Sequence, residues 1–411
     1  MNSRFLENAL FALRNIFRQR ARAVANLLAI ALGVAGLIVV GGFVQDIFVQ
    51  LGEAIIHGQT GHVQISKEGF QRVGLRSPEK YLIEKPDLIR SQLKAIPGTS
   101  AVLSRINFTG TLNNGRRDLG VLGEGIEADL ESQLTGIYVR YTEGRALRDG
   151  DKYGMVIGQG VAKSLDLAPG DRVAMVVSLS EGAVNTLDFE VIGIFQTFSK
   201  DFDARAVRIT LPDAGELFGT SAVHKIIMVL NETEKSPVAA SAVRALLQKD
   251  GMEVTLWHEL SDFYTKTIDL YDRQFGVMRL IILMMVLLSV SNTINMTLFE
   301  RTREFGTIMA IGSPPSSVFW QIILEGILVG ACGALLGMAL GVIAAWGISA
   351  IGIPMPPPPN ANIGYTAYIR VAIDSVLIAG LIGWVATILA SILPARRASR
   401  LSVVDALRHG L

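Results

Sequence analysis

Apolar residues gather into four blocks, 23–45, 275–299, 317–351 and 371–394, separated by stretches of a different rhythm. Each block reaches the ~20 residues that carry a helix across a ~30 Å hydrocarbon layer, so four transmembrane helices are expected. Between the first two lies a long segment, 46–272, in which short periodic runs alternate with turn residues. Gly61–Ser66 alternates as a strand, Pro86–Ile96 has helical spacing before Pro97-Gly98, and Asn113-Asn114-Gly115 is a hairpin signal. Further strands are predicted at 155–157, 173–177, 189–195, 207–211, 225–230 and 253–257, and helices at 159–167, 212–218 and 237–248. The fold class is a membrane protein in which a large α+β periplasmic domain is inserted between helices 1 and 2. Gly144, Asp149, Gly150 and Asp151 suggest two lobes meeting near residue 150.

Composition agrees. Half of the 411 residues are apolar, 18% are charged and the mean hydropathy is +0.40. A soluble chain carries about 25% charged residues, so a fully soluble protein is excluded. Charge then orients the spans. An amphipathic head (1–22), the 300–316 link and a tail (395–411) together hold eleven basic and four acidic residues, although the whole chain is only +1. Lys and Arg near span ends stay on the cytoplasmic side. Both termini and the 300–316 link are therefore expected inside, and 46–272 and a proline-rich loop (352–370) outside. The first block is longer than the ~7–15-residue core of a signal peptide and reads as a retained anchor.

Candidate chemistry is sparse. Cys332 is the single cysteine, which excludes an intrachain disulfide, and the five histidines show no metal-ligand spacing. No hydrolase elbow is present, and basic residues beside the membrane give nucleic-acid binding no support. A P-loop needs Gly-Lys followed by Ser or Thr. The chain contains no Gly-Lys pair, and Gly158-Gln159-Gly160-Val161-Ala162-Lys163-Ser164 has the wrong spacing. Pro354 and Pro356–Pro359 form a stiff run, either a spacer or a docking ridge. Glu325 lies near the start of the third block, where a carboxylate is expected to meet a neighbouring helix or the 300–312 segment. Gly326, Gly330, Gly333, Gly337 and Gly341 form a stripe for close helix approach, within one subunit or between two.

Glu300 to Gly312 reads as a short amphipathic helix, with Phe305, Ile308, Met309 and Ile311 apolar and Glu300, Arg301, Arg303 and Glu304 charged. Gly312, Ser313, Pro314 and Pro315 end it. Physics alone leaves two readings open: an interfacial helix resting on lipid headgroups, or a docking helix for a cytoplasmic protein.

The run Glu300-Arg301-Thr302-Arg303-Glu304-Phe305-Gly306, continuing to Ala310-Ile311-Gly312, resembles the permease family of macrolide exporters, lipoprotein-releasing complexes and FtsX. The tail Leu393-Pro394-Ala395-Arg396-Arg397-Ala398, continuing to Ala406-Leu407-Arg408, is similar to that family's closing motif, with Ser402 or Val403 where the family has proline. Ile157-Gly158 through Pro169-Gly170-Asp171-Arg172-Val173 resembles its outer domain. The resemblance implies a non-catalytic permease subunit of an ABC transporter in a bacterial inner membrane. A second permease copy or paralogue and a dimer of cytoplasmic ABC ATPase subunits, which bind ATP and Mg, would complete the complex; no cofactor is implied on this chain. Glu300, Arg301, Arg303, Glu304, Phe305, Gly306, Met309 and Gly312 would form the coupling helix seated on the ATPase. ATP-driven motion would pass to the outer domain, a mode called mechanotransmission. Expected contacts are membrane lipids and a periplasmic lipoprotein carrier or adaptor. Lipoprotein release or export of a lipid-like substrate is the leading expectation; the alternatives are an FtsX-like scaffold regulating a cell-wall hydrolase and a tripartite efflux permease.

Overall fold

A computed structural model describes residues 20–74, 78–179, 183–248, 251–357 and 364–400. Most of the amphipathic head, Pro358, Pro359 and the tail from residue 401 lie outside the described residues. In chain order the elements are α1 (Arg20–Ile55), β1 (Val63–Lys67), α2 (Phe70–Val73), α3 (Pro86–Lys94), β2 (Thr99–Asn113), β3 (Asp118–Ile126), α4 (Ala128–Thr135) and β4 (Arg140–Gly144). Then come β5 (Gly154–Gly158), α5 (Gln159–Leu165), β6 (Arg172–Ser178), β7 (Val184–Gln196), α6 (Lys200–Asp203), β8 (Ala206–Thr210), α7 (Leu211–Phe218), β9 (Lys225–Leu230), α8 (Ser236–Leu247) and β10 (Met252–Leu256). The chain closes with α9 (Asp262–Ala310), α10 (Pro315–Ile351), the strands β11 (Ile353–Met355) and β12 (Tyr365–Ala367), and α11 (Ile373–Ser399).

These elements form two compact units. The first takes in the chain up to Phe48, Ile268–Ile353 and the chain from Thr366; the second is Val49–Thr267 with Pro354–Tyr365. The helices α1, α9, α10 and α11 are each long and apolar enough to cross a membrane.

In the helical unit, small residues let backbones approach. A Cβ on Gly333 would lie 2.9 Å from Ile30, one on Gly337 2.7 Å from Val34, and one on Gly341 2.8 Å from Ile38, all on α1. Gly326 and Gly330 face Ser391 and Thr387 of α11 instead. All five glycines are buried against helices of their own chain. The stripe thus packs within one subunit, the first of its two readings.

Three helices run on past the expected span limits. The first span was expected over 23–45; the helix that contains it continues to Ile55, with Asp46 buried and paired on the way. Its carboxylate accepts from Arg370 Nε at 3.0 Å and from the Tyr368 backbone N–H at 2.8 Å. The 300–316 segment is no separate helix. Nothing in 297–303 breaks helical geometry, so the segment to Ala310 continues the 49-residue α9. Likewise α11 continues through Pro394 to Ser399, where a tail was expected from 395.

The second unit is built on one ten-stranded sheet in the order β10-β1-β9-β2-β3-β8-β5-β7-β4, with β6 against β2 and β7. Pairings are antiparallel except β3 with β8 and β5 with β7. The predicted hairpin joins β2 to β3: Asn114 Oδ1 accepts from the N–H groups of Arg116 and Arg117, and Gly115 takes φ +80. Alternation puts Val63, Ile65, Val102, Ile106, Phe108 and Met228 into a shared apolar core. The lobe boundary expected near residue 150 has no counterpart in the strand order. β5 pairs with β8, β8 pairs with β3, and β9 returns to pair with β1 and β2. Long-range pairing, not local turn content, decides what belongs together.

Candidate functional site

The turn between α9 and α10 is held from both sides. Arg301, on α9, is buried, and its Nη1 donates to both carboxylate oxygens of Glu325 on α10 at 3.0 Å. Its Nε donates to Glu304 at 3.1 Å, and the guanidinium lies 4.9 Å from the Phe305 ring centroid. A planar fork suits this, since it serves two carboxylates at once. Beneath the ion pairs, Phe305 is 1% exposed and packs with Val318, Ile322 and Ile323 of α10 and Ala395 and Ala398 of α11. Met309 is partly buried against the same cluster, and Gly306 is buried.

The helix ends in a Schellman arrangement. Ser313 N–H donates to Ile308 O, Gly312 N–H donates to Met309 O, and Gly312 takes φ +102. Only glycine adopts that backbone without strain.

The eight residues named as coupling candidates thus divide. Arg301, Phe305 and Gly306 are buried and fasten the turn; Glu304 and Met309 are half-buried; Glu300, Arg303 and Gly312 are exposed. The amphipathic pattern was misread at two positions. Ile311, assigned to the apolar side, is 82% exposed, and Arg301, assigned to the charged side, is inside. Arg301 faces inward because Glu325 supplies a partner 24 residues later, a pairing no local period reveals. Trp320, on the first turns of α10, is 65% exposed. The exposed face of this turn therefore mixes charge, from Glu300 and Arg303, with the large apolar side chains of Ile311 and Trp320.

The other candidates carry less. Glycines 158 and 160 of the false P-loop are explained by packing: added Cβ atoms would lie 2.2 Å from Asp203 O and 2.5 Å from Ala204 Cα. Among the described residues no group of His, Cys, Asp and Glu could hold a metal ion.

A charged cluster in the sheet unit had no signal in the sequence beyond single charges at inward strand positions. Arg105 (β2), Glu124 (β3), Glu131 (α4) and Arg208 (β8) are all buried. Glu124 accepts from Arg208 Nε at 3.0 Å, and Glu131 pairs with Arg105. Burial pulls the Glu124 carboxyl upward, but the charges of Arg105 and Arg208 overcome it and hold the group below its usual range. Lys225 beside them is brought down to about 8 by burial, with Glu124 opposing. His62 is brought down to about 4, also by burial. Its Nδ1 accepts from Leu230 N–H and its Nε2 faces Thr233 Oγ1, which fits a neutral ring.

Comparison with known proteins agrees with the layout. Residues 23–246 match the family model of the MacB-like periplasmic core domain, and 276–403 match that of the FtsX-like permease C-terminal. An uncharacterized ABC transporter permease of Methanocaldococcus jannaschii is 23% identical over 97% of this chain and 96% of its own length. The lipoprotein-releasing system transmembrane protein LolC of Neisseria meningitidis is 21% identical over 94% of each chain. The crystal structure of the periplasmic region of MacB from Actinobacillus actinomycetemcomitans is similar over 51% of this chain and 93% of that one, at 16% identity and a TM-score of 0.35. Two family models placed in order along the chain, over an inserted α+β domain and four membrane-length helices, have one meaning: the chain belongs to the MacB/LolC/FtsX superfamily of ABC transporter permeases.

Proposed function

We propose that this chain is the permease subunit of a complex that uses a separate ATPase to drive release of a lipid-anchored or lipid-like substrate from the membrane. The turn at 300–312 seats on the ATPase, and the α+β domain acts on the substrate or its carrier on the opposite side. The observation that carries the first part is the braced turn. Arg301 locked to Glu325, with Phe305 locked among α10 and α11, makes the end of α9 a stiff lever with exposed Glu300, Arg303 and Ile311. A force-receiving element needs that rigidity; a helix resting on headgroups does not. The end-to-end likeness to a lipoprotein-releasing transmembrane protein supports the substrate class. These 411 residues hold no Gly-Lys pair, so the P-loop that drives the complex is assigned to the ATPase.

The test is purification of the tagged chain from native membranes in mild detergent, with mass spectrometry of what is retained. A P-loop ATPase should co-purify, and its hydrolysis should rise on adding a triacylated lipoprotein to the reconstituted complex. Recovery of this chain alone after crosslinking would remove the permease-on-ATPase reading. An ATPase complex that ignores lipoproteins would remove the substrate class.

A further inference from the structure

Helix α1 is continuous from its membrane-length segment to Ile55, and its end lies inside the sheet unit, followed by a π-turn at Ile56–Thr60. The last carbonyls of a helix have no intrahelical donor. Here they are taken by the domain. Arg208 Nη2 donates to Gly58 O at 2.8 Å, Arg105 Nη1 to Gln59 O at 2.5 Å, and Gln64 Nε2 to Thr60 O at 2.8 Å. Thr60 Oγ1 donates to Ile55 O, and Gly61 N–H to Ile56 O. Both guanidinium groups thus sit at the negative end of the helix, where cations are favoured. Glu124 lies between them and Glu131 takes Arg105 from the other side, so neither fork is free to turn away. Side chains hold the preceding turn as well. Thr233 donates to Glu53 at 2.6 Å, and a Cβ on Gly52 would lie 2.8 Å from the Trp257 ring.

Stability alone does not call for this arrangement. Burying four ions costs several kcal/mol each before pairing, and apolar residues of equal volume often do as well. What apolar residues lack is direction: they cannot grip carbonyl oxygens. The turn being gripped is weak by itself, with no side chain at the buried Gly58 to anchor it and Gly61 at φ +67.

We infer that Arg105 and Arg208 are positioning residues that clamp the end of α1 to strands β2 and β8, making this cluster the place where displacement of α1 enters the sheet. The inference rests on the proposed force-transmitting function and assigns its point of transfer. Without the clamp, movement of α1 is absorbed at residues 56–62.

The test uses the full chain with its co-purified ATPase in lipid nanodiscs, followed by hydrogen exchange of the sheet-unit peptides with ATP or ADP. The variant Arg105→Met/Glu124→Leu/Glu131→Leu/Arg208→Met/Lys225→Met removes the grip together with every charge of the cluster, Lys225 included. It should keep complex assembly, ATP hydrolysis and cooperative melting while losing the ATP-dependent change in the sheet. A full change in this variant overturns the clamp. A wild-type complex with no ATP-dependent change in the sheet overturns the force-transmitting reading, and the clamp with it. Should the variant not fold, wild-type amides at 56–61 decide during turnover. They should exchange as slowly as those of β2 and β8; fast exchange there, with the sheet protected, overturns the clamp.

Discussion

Replacing Arg301 by Met leaves the Glu325 carboxylate facing a packed interior without its fork. The Arg301 side chain is 10% exposed and that of Glu325 18%, with two contacts of 3.0 Å between them. Breaking one side of a buried pair costs ~3–5 kcal/mol; water reaches part of Glu325, so the lower end, about 3 kcal/mol, is expected. Glu325→Leu strands Arg301 less completely, because Glu304 remains 3.1 Å from its Nε, and about 2 kcal/mol is expected. The double variant Arg301→Met/Glu325→Leu removes both charges at similar volume and should lie within ~1 kcal/mol of wild type. The cycle therefore carries a coupling of several kcal/mol, against the ~0.5 kcal/mol within which independent sites add. Equilibrium unfolding of the purified chain in mixed micelles, followed through the helical signal, measures all four corners. If the two single costs add in the double variant, the ion pair does not hold the turn, and the lever argument fails with it.

Three further outcomes follow from other parts of the molecule. Gly337→Ala should destabilise the helical unit by ~1–3 kcal/mol, since the new Cβ would meet Ala31 O at 2.8 Å. Gly347→Ala on the same helix, with open space around it, should be neutral or stabilising by up to about 1 kcal/mol; equal effects in a thermal-unfolding comparison would refute the packing account. Gly312→Ala should cost ~1–2 kcal/mol because the left-handed φ of +102 remains required, and an unchanged melting temperature would contradict the cap. His62 gives a pH dependence. Unfolded, it takes its proton near 6.5; folded, it waits until about 4, so the unfolded state binds more protons between these values. Stability of the sheet unit should be flat above pH 7 and fall by ~3 kcal/mol as pH drops from about 6.5 towards 4. His62→Gln should flatten that fall, and an equally steep fall in the variant would assign it elsewhere.

Much of the architecture was legible because it depends on local pattern. The Asn113-Asn114-Gly115 turn carries its own hydrogen-bond acceptors, and Gly312 ends α9 wherever the helix packs. Strands such as Lys225–Leu230 were visible as runs of β-formers. The end of α1 was not. Asp46 reads as a span boundary until Arg370, over 300 residues away, is known to neutralise it. Similarly, the glycine stripe announces a close contact without saying with which helix. The 300–312 segment stood out in the sequence as a unit, yet which of its residues are buried and which exposed came from α10 and α11.

By itself the sequence determined that four helices reach membrane length, that an α+β domain lies between the first two, and where individual turns and caps fall. Each follows from the hydropathy or backbone preference of neighbouring residues, which the chain carries in any fold. The tertiary structure alone decided that one sheet joins both halves of the domain, that Arg301 turns inward to Glu325, and that Arg105 and Arg208 meet at the end of α1. A buried charge is tolerable only beside its partner, and the partner's position is set by packing across the whole chain.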